Sequence, residues 1–205
     1  MFFVLEMIGT VAFAVAGALV GIDKKMDVFG VAILGMTTAV GGGVIRDLIL
    51  NVAPPAAFRE PVFALTAIGV SLAAFLPAVR RLAHRQPRLY DLTMLTMDSL
   101  GLGSFTVVGV QAAYAAVPEA NVFLSSFVGV VTGVGGGILR DVLAGNTPYV
   151  FIRHFYACAS LLGALCCALL WPRLGSGPAM VLGLVLTLLL RLLAAHFRWS
   201  LPRAE

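Results

Sequence analysis

Residues 37–50 read TTAVGGGVIRDLIL. The flanks are apolar enough for a membrane helix, but the middle holds Gly41, Gly42 and Gly43, followed one turn later by Arg46 and Asp47. Residues 133–145, GVGGGILRDVLAG, repeat the pattern with Gly135, Gly136, Gly137, Arg140 and Asp141. An offset of 94 residues (Gly41 to Gly135) superimposes GGGVIRD on GGGILRD without a gap. The same offset pairs Gly9 with Gly103, Val28 and Phe29 with Val122 and Phe123, and Gly35 with Gly129. It also pairs Thr38 with Thr132, Pro54 with Pro148 and Arg59 with Arg153. So many matches in one register mark an internal duplication.

Composition says which solvent this duplication meets. Of 205 residues, 60% are hydrophobic and 12% charged, against about 25% charged in soluble domains. Mean hydropathy is +0.99, so the relevant pattern is an apolar run of about 20 residues. Net charge is +4, but the basic residues sit in breaks between apolar runs, where they orient a membrane protein; nucleic acid is not an expected partner. The start, MFFVLE, has no basic n-region or cleavage site and reads as no removable signal peptide. Cys158, Cys166 and Cys167 share one apolar run without CxxC spacing, and read as small hydrophobes. His84, His154 and His196 form no cluster. No metal, cofactor or nucleophile–base arrangement is expected, and the chain is not read as an enzyme.

The fold class expected is all-α integral membrane, one domain over 1–205. Seven transmembrane helices are expected near 2–21, 28–50, 58–77, 93–117, 122–144, 153–172 and 178–197. The breaks are Asp23-Lys24-Lys25, 51–55, 80–91, Pro118-Glu119, 146–148 and 172–178. Repeat one covers about 3–79 and repeat two about 93–173. Three spans per repeat is an odd number, so the second copy enters from the opposite face. The result is an inverted 3+3 repeat plus a seventh helix, an architecture typical of transporters with sites near the midplane. One side carries Lys24, Lys25, Arg80, Arg81, Arg85, Arg88, Arg153, Arg198 and Arg203, the other only Arg59 and Arg173. The positive-inside rule then puts the C-terminus in the cytoplasm and the N-terminus outside, in a multi-pass inner-membrane protein.

Glycine disfavours helix by about 1 kcal/mol relative to alanine. Three in a row predict a kink or unwound turn in helices 2 and 5, whose freed carbonyls favour a cation and whose N–H groups favour an anion. The alternative is that the triplets only permit close helix packing. A charge within a span costs at least about 2.5 kcal/mol. Sequence neighbours are about 100° apart on a helix, so Arg46 and Asp47, like Arg140 and Asp141, are not expected to face each other; the opposite repeat is expected to supply their partners. These groups suggest a narrow hydrated path. Thr38 and Thr132 either line it or bond the preceding helical turn. Glu6 and Asp98 either form its mouths or cap helix ends. Arg191 is expected to snorkel to the cytoplasmic interface. Span 7 is expected outside a six-helix core, with Trp199 as an interfacial anchor. Gly129 and Gly133 serve either subunit contacts or the internal fold.

Both repeats resemble the bacterial UPF0126 domain, related to the trimeric intracellular cation (TRIC) channels. The residues that carry this are EMIGTVAFAVAGAL at 6–19, GGGVIRD, DSLGLGSFTVVGVQAA at 98–113, GVGGGILRDVLAG and YACASLLGA at 156–164. The resemblance spans about 3–193. It implies a seven-helix protomer with its own pore, assembled as a homotrimer in a lipid bilayer, and passing chiefly K+ with other monovalent cations such as Na+. It places the pore along helices 2 and 5, at the two glycine triplets and their Arg-Asp pairs. Animal members carry a lysine-containing motif and bind phosphoinositide, whereas this chain has arginine in both motifs. Bacterial domains of this type are also labelled glycine transporters. Two functions therefore stand: a passive cation channel, and a secondary carrier in which arginine or a half-helix N-terminus holds a small zwitterion's carboxylate and Asp or carbonyls its ammonium.

Overall fold

A computed structural model of the chain describes residues 2–77, 86–152 and 155–199. Arg80, Arg81, His84, Arg85, Arg153, His154 and Arg203 lie outside the described residues. The described residues are helical with no strand: α1 (Phe2–Asp23), α2 (Val28–Ile49), α3 (Ala56–Arg59), α4 (Val62–Ala74), α5 (Pro87–Ala116), α6 (Val122–Leu143), α7 (Tyr149–Ile152), α8 (Tyr156–Leu174) and α9 (Ser176–His196).

Six of these helices are long and apolar enough to cross a membrane: α1, α2, α5, α6, α8 and α9. The third expected span, 58–77, differs. Its regular part is α4, only 13 residues, or about 20 Å at 1.5 Å per residue. Pro61 interrupts it, because proline has no N–H to give and disfavours helix in the residue before it; α3 is left as a separate single turn. The fourth span starts earlier than expected. Pro87 is accepted at the head of α5, where a missing N–H costs nothing, and 80–91 is not wholly a break. At the far end α8 runs through Pro172 to Leu174 and stops at Gly175, whose φ of 78° suits glycine.

Duplication shows in the packing. α1 lies against α2, α4 and α5, while α5 lies against α1, α6 and α8; α2 crosses α6 at the centre. α9 packs on α8 and α5 alone among the close helix pairs. The helix starts repeat too: Asp27 accepts from the Gly30 N–H at 2.7 Å, and Asn121 from the Leu124 N–H at 2.8 Å. These side-chain caps satisfy one orphan donor each.

The first helices of the two repeats do not follow the offset of 94. Gly9 is packed against Phe105, and Gly101 against Phe13, reciprocally. Gly17 meets Thr38 and Gly35; Gly109 meets Thr132 and Gly129. In α1 and α5 the structural offset is therefore 92 (Gly9 to Gly101), and the pairing of Gly9 with Gly103 is corrected. In repeat two the first helix runs one residue further and the loop after it, 117–121 against 24–27, is one residue longer, which together absorb the difference.

Candidate functional site

The glycine triplets do not unwind. α2 is continuous through 41–43 and α6 through 135–137, so the expected break is not present. The triplets instead let the two helices touch backbone to backbone. A Cβ on Gly42 would collide with the carbonyl oxygen of Thr132, and one on Gly136 with that of Thr38. A Cβ on Gly135 would stand 3.2 Å from the Cα of Gly42, and one on Gly41 would strike the Leu139 side chain. Such approach needs residues without side chains. Gly43 and Gly137 instead border Arg46 and Arg140, whose Nη2 atoms lie 3.7 and 3.8 Å from the position a Cβ would take, an ordinary contact distance.

Thr38 and Thr132 are wholly buried. Each hydroxyl donates to the carbonyl four residues back, Leu34 and Val128, at 2.6 Å. Of the two sequence readings, bonding to the preceding turn is the one observed. Gly129 and Gly133 are also spent internally, against Thr106 and its neighbours on α5.

The charged pairs follow one plan in both repeats, and it is not the plan expected. Arg46 Nε donates to Asp47 Oδ1 at 2.7 Å, and Arg140 Nε to Asp141 Oδ1 at 2.8 Å. The arginine stem is long enough to fold back over the glycine one turn before it, so adjacent Cα positions do not prevent the contact. The second oxygen of each aspartate accepts from the first N–H of a short helix: Ala56 N at 2.7 Å in α3, Tyr149 N at 2.9 Å in α7. Each aspartate thus ties its arginine to the returning loop. The third member comes from the first helix of the same repeat, not the other one. Arg46 Nη1 stands 3.6 Å from Glu6 Oε1; Arg140 Nη1 donates to Asp98 Oδ1 at 2.7 Å. Glu6 and Asp98 therefore do not cap helix ends.

The two clusters are not equal. Beside Glu6, Thr10, Gly43, Arg46 and Phe63 lies a cavity of about 20 Å³, enough for one water. The equivalent space by Gly137, Arg140 and Tyr156 has no water-sized room. Tyr156 holds the position that Phe63 holds in repeat one, and its buried hydroxyl has no hydrogen-bond partner among the described residues. Asp98 also meets Arg191 of α9, Nη2 to Oδ2 at 3.7 Å. Arg191 is 5% exposed and its guanidinium stacks 4.6 Å from the Tyr156 ring centre. It is an internal residue, not a snorkelling one. Below it opens a polar cavity of about 700 Å³ lined by Tyr90, Asp91, Asp98, Tyr149, Arg191 and Arg198. The extra N-terminal turns of α5 build one wall of that vestibule. Between the clusters Phe13 and Phe105 pack with ring centres 5.4 Å apart.

Sequence reasoning passed over Tyr156 as a site residue, Phe13, Phe105 and the inward role of Arg191. A signal existed for some of them. Glu6, Gly9, Phe13 and Gly17 are spaced as Asp98, Gly101, Phe105 and Gly109.

Comparison with known proteins gives four findings. The family described as "Glycine transporter" matches residues 3–78 and 95–172. The UPF0126 inner membrane protein YadS of Escherichia coli K12 is 38% identical over 202 residues, 97% of this chain and 93% of the relative. A solved TRIC cation channel is 35% identical and superimposes with a TM-score of 0.87 over all of this chain and 98% of that one. The TRIC trimeric intracellular cation channel orthologue from Rhodobacter sphaeroides is similar to the same degree, at 34% identity and a TM-score of 0.87, covering 97% and 98% of the two chains.

Proposed function

The chain belongs to the UPF0126 family, and from that premise we propose that it is a cation channel, chiefly permeable to K+ with Na+ as a poorer permeant, in the inner membrane. The observation that carries the proposal is the full-length match, at 35% identity and a TM-score of 0.87, to a TRIC cation channel. The site supports it chemically. Carboxylates of Glu6, Asp47, Asp98 and Asp141 stand at the two ends of the central helix crossing, each with an arginine beside it, so a cation that reaches them is attracted but not trapped.

In this proposal each protomer has its own pore and three protomers assemble. The repeats run in opposite senses through the bilayer, with the N-terminus outside. Because α2 and α6 are continuous, carbonyls at the glycine triplets stay in the helix ladder and do not ligate the ion. The ion path runs along the charged clusters, and the Gly42–Gly136 contact with the Phe13–Phe105 pair closes it until α2 and α6 move apart.

A second reading has one specific observation in its favour. Asp98 and Arg191 line one polar vestibule, with Arg140 and Tyr156 packed behind them, and a carboxylate beside a guanidinium is a set that an ammonium and a carboxylate would fit. That is a carrier for glycine or a similar small amino acid. Purified protein in a planar bilayer separates the two. Unitary currents with a K+-selective reversal potential support the channel. Saturable glycine uptake into vesicles, with no unitary current, replaces it by the carrier.

A further inference from the structure

The two ends of the molecule differ in one charge, and the charge comes from the helix that has no repeat counterpart. With every group in its ordinary ionised form, Glu6, Arg46 and Asp47 sum to −1, whereas Asp98, Arg140, Asp141 and Arg191 sum to zero. Arg140 already satisfies Asp98 Oδ1 at 2.7 Å. The other oxygen, Oδ2, is buried and has no hydrogen-bond partner among the described residues, and Asp98 is one of the residues that line the vestibule of about 700 Å³. Its neighbour is Arg191 Nη2, at 3.7 Å, too far for a hydrogen bond. Arg191 Nε likewise has no partner among the described residues. The guanidinium is therefore held by charge and by the face of Tyr156, without the directional bonds that fix Arg46 and Arg140 to their aspartates.

We propose that Arg191 is a tethered counter-cation at the vestibule floor, and that an entering monovalent cation competes with it for the free oxygen of Asp98. Arginine suits the role because it stays charged under all working conditions. Its effect is to lower cation occupancy at the repeat-two end and to make the two ends of the path unequal. This rests on the channel reading, which it deepens by naming the residue that sets cation affinity at one mouth.

The test uses full-length purified protein, K+ as chloride, and two readouts. One is thermal stability as K+ replaces N-methylglucamine at constant ionic strength; the other is the half-saturating K+ for conductance from each side of a bilayer. Arg191→Gln removes the competing charge and is expected to lower the half-saturating K+ roughly tenfold, on the vestibule side only. Arg191→Lys keeps the charge and is expected to behave as the parent. Asp98→Asn together with Arg191→Gln removes the carboxylate as well, and the gain disappears. If Arg191→Gln does not fold, Arg191→His supports the same measurement, being charged at low pH and neutral at high pH: K+ affinity that rises with pH, beyond any change in the parent, supports the proposal. A half-saturating K+ that stays at the parent's value in the Gln variant, or stays constant with pH in the His variant, overturns it. A parent without current would sink the channel reading alone, because the stability readout still reports whether K+ and Arg191 compete.

Discussion

Gly42 on α2 and Gly136 on α6 each press against the backbone of the other's helix, so that a methyl group on either would strike a threonine carbonyl, Thr132 for the first and Thr38 for the second. The contact is reciprocal because the repeats are. It sets the distance between the two central helices, and everything that lines their crossing inherits that distance.

Gly42→Ala and Gly136→Ala should each destabilise the fold by about 1–3 kcal/mol, since a backbone carbonyl cannot swing aside as a side chain can. Gly43→Ala is the control. A Cβ there meets only the Arg46 guanidinium at ordinary contact distance, and alanine gains about 1 kcal/mol in helix propensity. Thermal unfolding of the three variants in one detergent decides the matter. Equal transition temperatures for Gly42→Ala and Gly43→Ala would mean that the crossing tolerates a methyl group.

Thr38→Val and Thr132→Val should leave unit conductance unchanged. Both hydroxyls are fully buried, both are donated to their own helix, and they face Gly17 and Gly109 at 2.6 and 2.5 Å from where a Cβ would stand. Valine keeps the shape and loses only a bond worth about 1 kcal/mol. A changed conductance or selectivity in either variant would put these hydroxyls on the ion path after all.

Breaking the charge clusters should cost unequally. Arg140 is fully buried and bonded to both Asp98 and Asp141; removing it leaves Asp141 without a cation and Asp98 with only Arg191 at 3.7 Å, for about 3–5 kcal/mol. Arg46→Ala should cost less, because Glu6 is partly exposed and 3.6 Å away. Chemical or thermal unfolding of Arg46→Ala and Arg140→Ala should rank them in that order, and the reverse ranking would show that the repeat-one cluster is the tighter one.

Much of this was legible in the chain. Apolar runs between charged breaks located six long helices, and the duplicated GGGxxRD motif located the central crossing, because both signals are local. What stayed hidden was relational. The register of α1 against α5 is shifted by two residues from that of α2 against α6, so one gap-free offset hid the equivalence of Phe13 with Phe105. Helical-wheel angles describe Cα positions, and an arginine stem reaches across them; hence the Arg46–Asp47 pair was misjudged. Triple glycine was read through backbone propensity, but in a bilayer a continuous helix keeps every N–H and C=O satisfied, and close packing against α6 offsets the propensity cost. Arg191 near a helix end looked free to reach water because nothing in its own segment names Asp98 as a partner.

Assembly has its own test. Three protomers are expected, by likeness to a trimeric orthologue, and exposed apolar side chains such as Phe3, Leu65 and Phe123 leave ample surface for lipid or subunit contact. Native mass spectrometry in mild detergent should give a mass three times that of the chain. Monomers alone would count against the trimer.

Charge on the path gives the last test. Arg46 and Arg140 end their helices at opposite ends of the crossing, each with a carboxylate from the first helix of its own repeat. Replacing either by alanine takes away positive potential and frees an aspartate oxygen. The first change should raise cation occupancy and conductance. The second should shift open probability, because the aspartate then holds the returning loop, through Ala56 or Tyr149, without its arginine. The shift should be larger for Arg140→Ala, whose bond to Asp98 is 2.7 Å, than for Arg46→Ala. Conductance is read one channel at a time, so a lower yield of folded Arg140→Ala does not blur it. The comparison is Arg46→Ala, Arg140→Ala and the double substitution against the parent, at matched ionic conditions. Near-additive increases in conductance would place both arginines on one path. If all three match the parent in conductance and open probability, the arginines are struts that hold α3 and α7 in place, and the ion passes elsewhere.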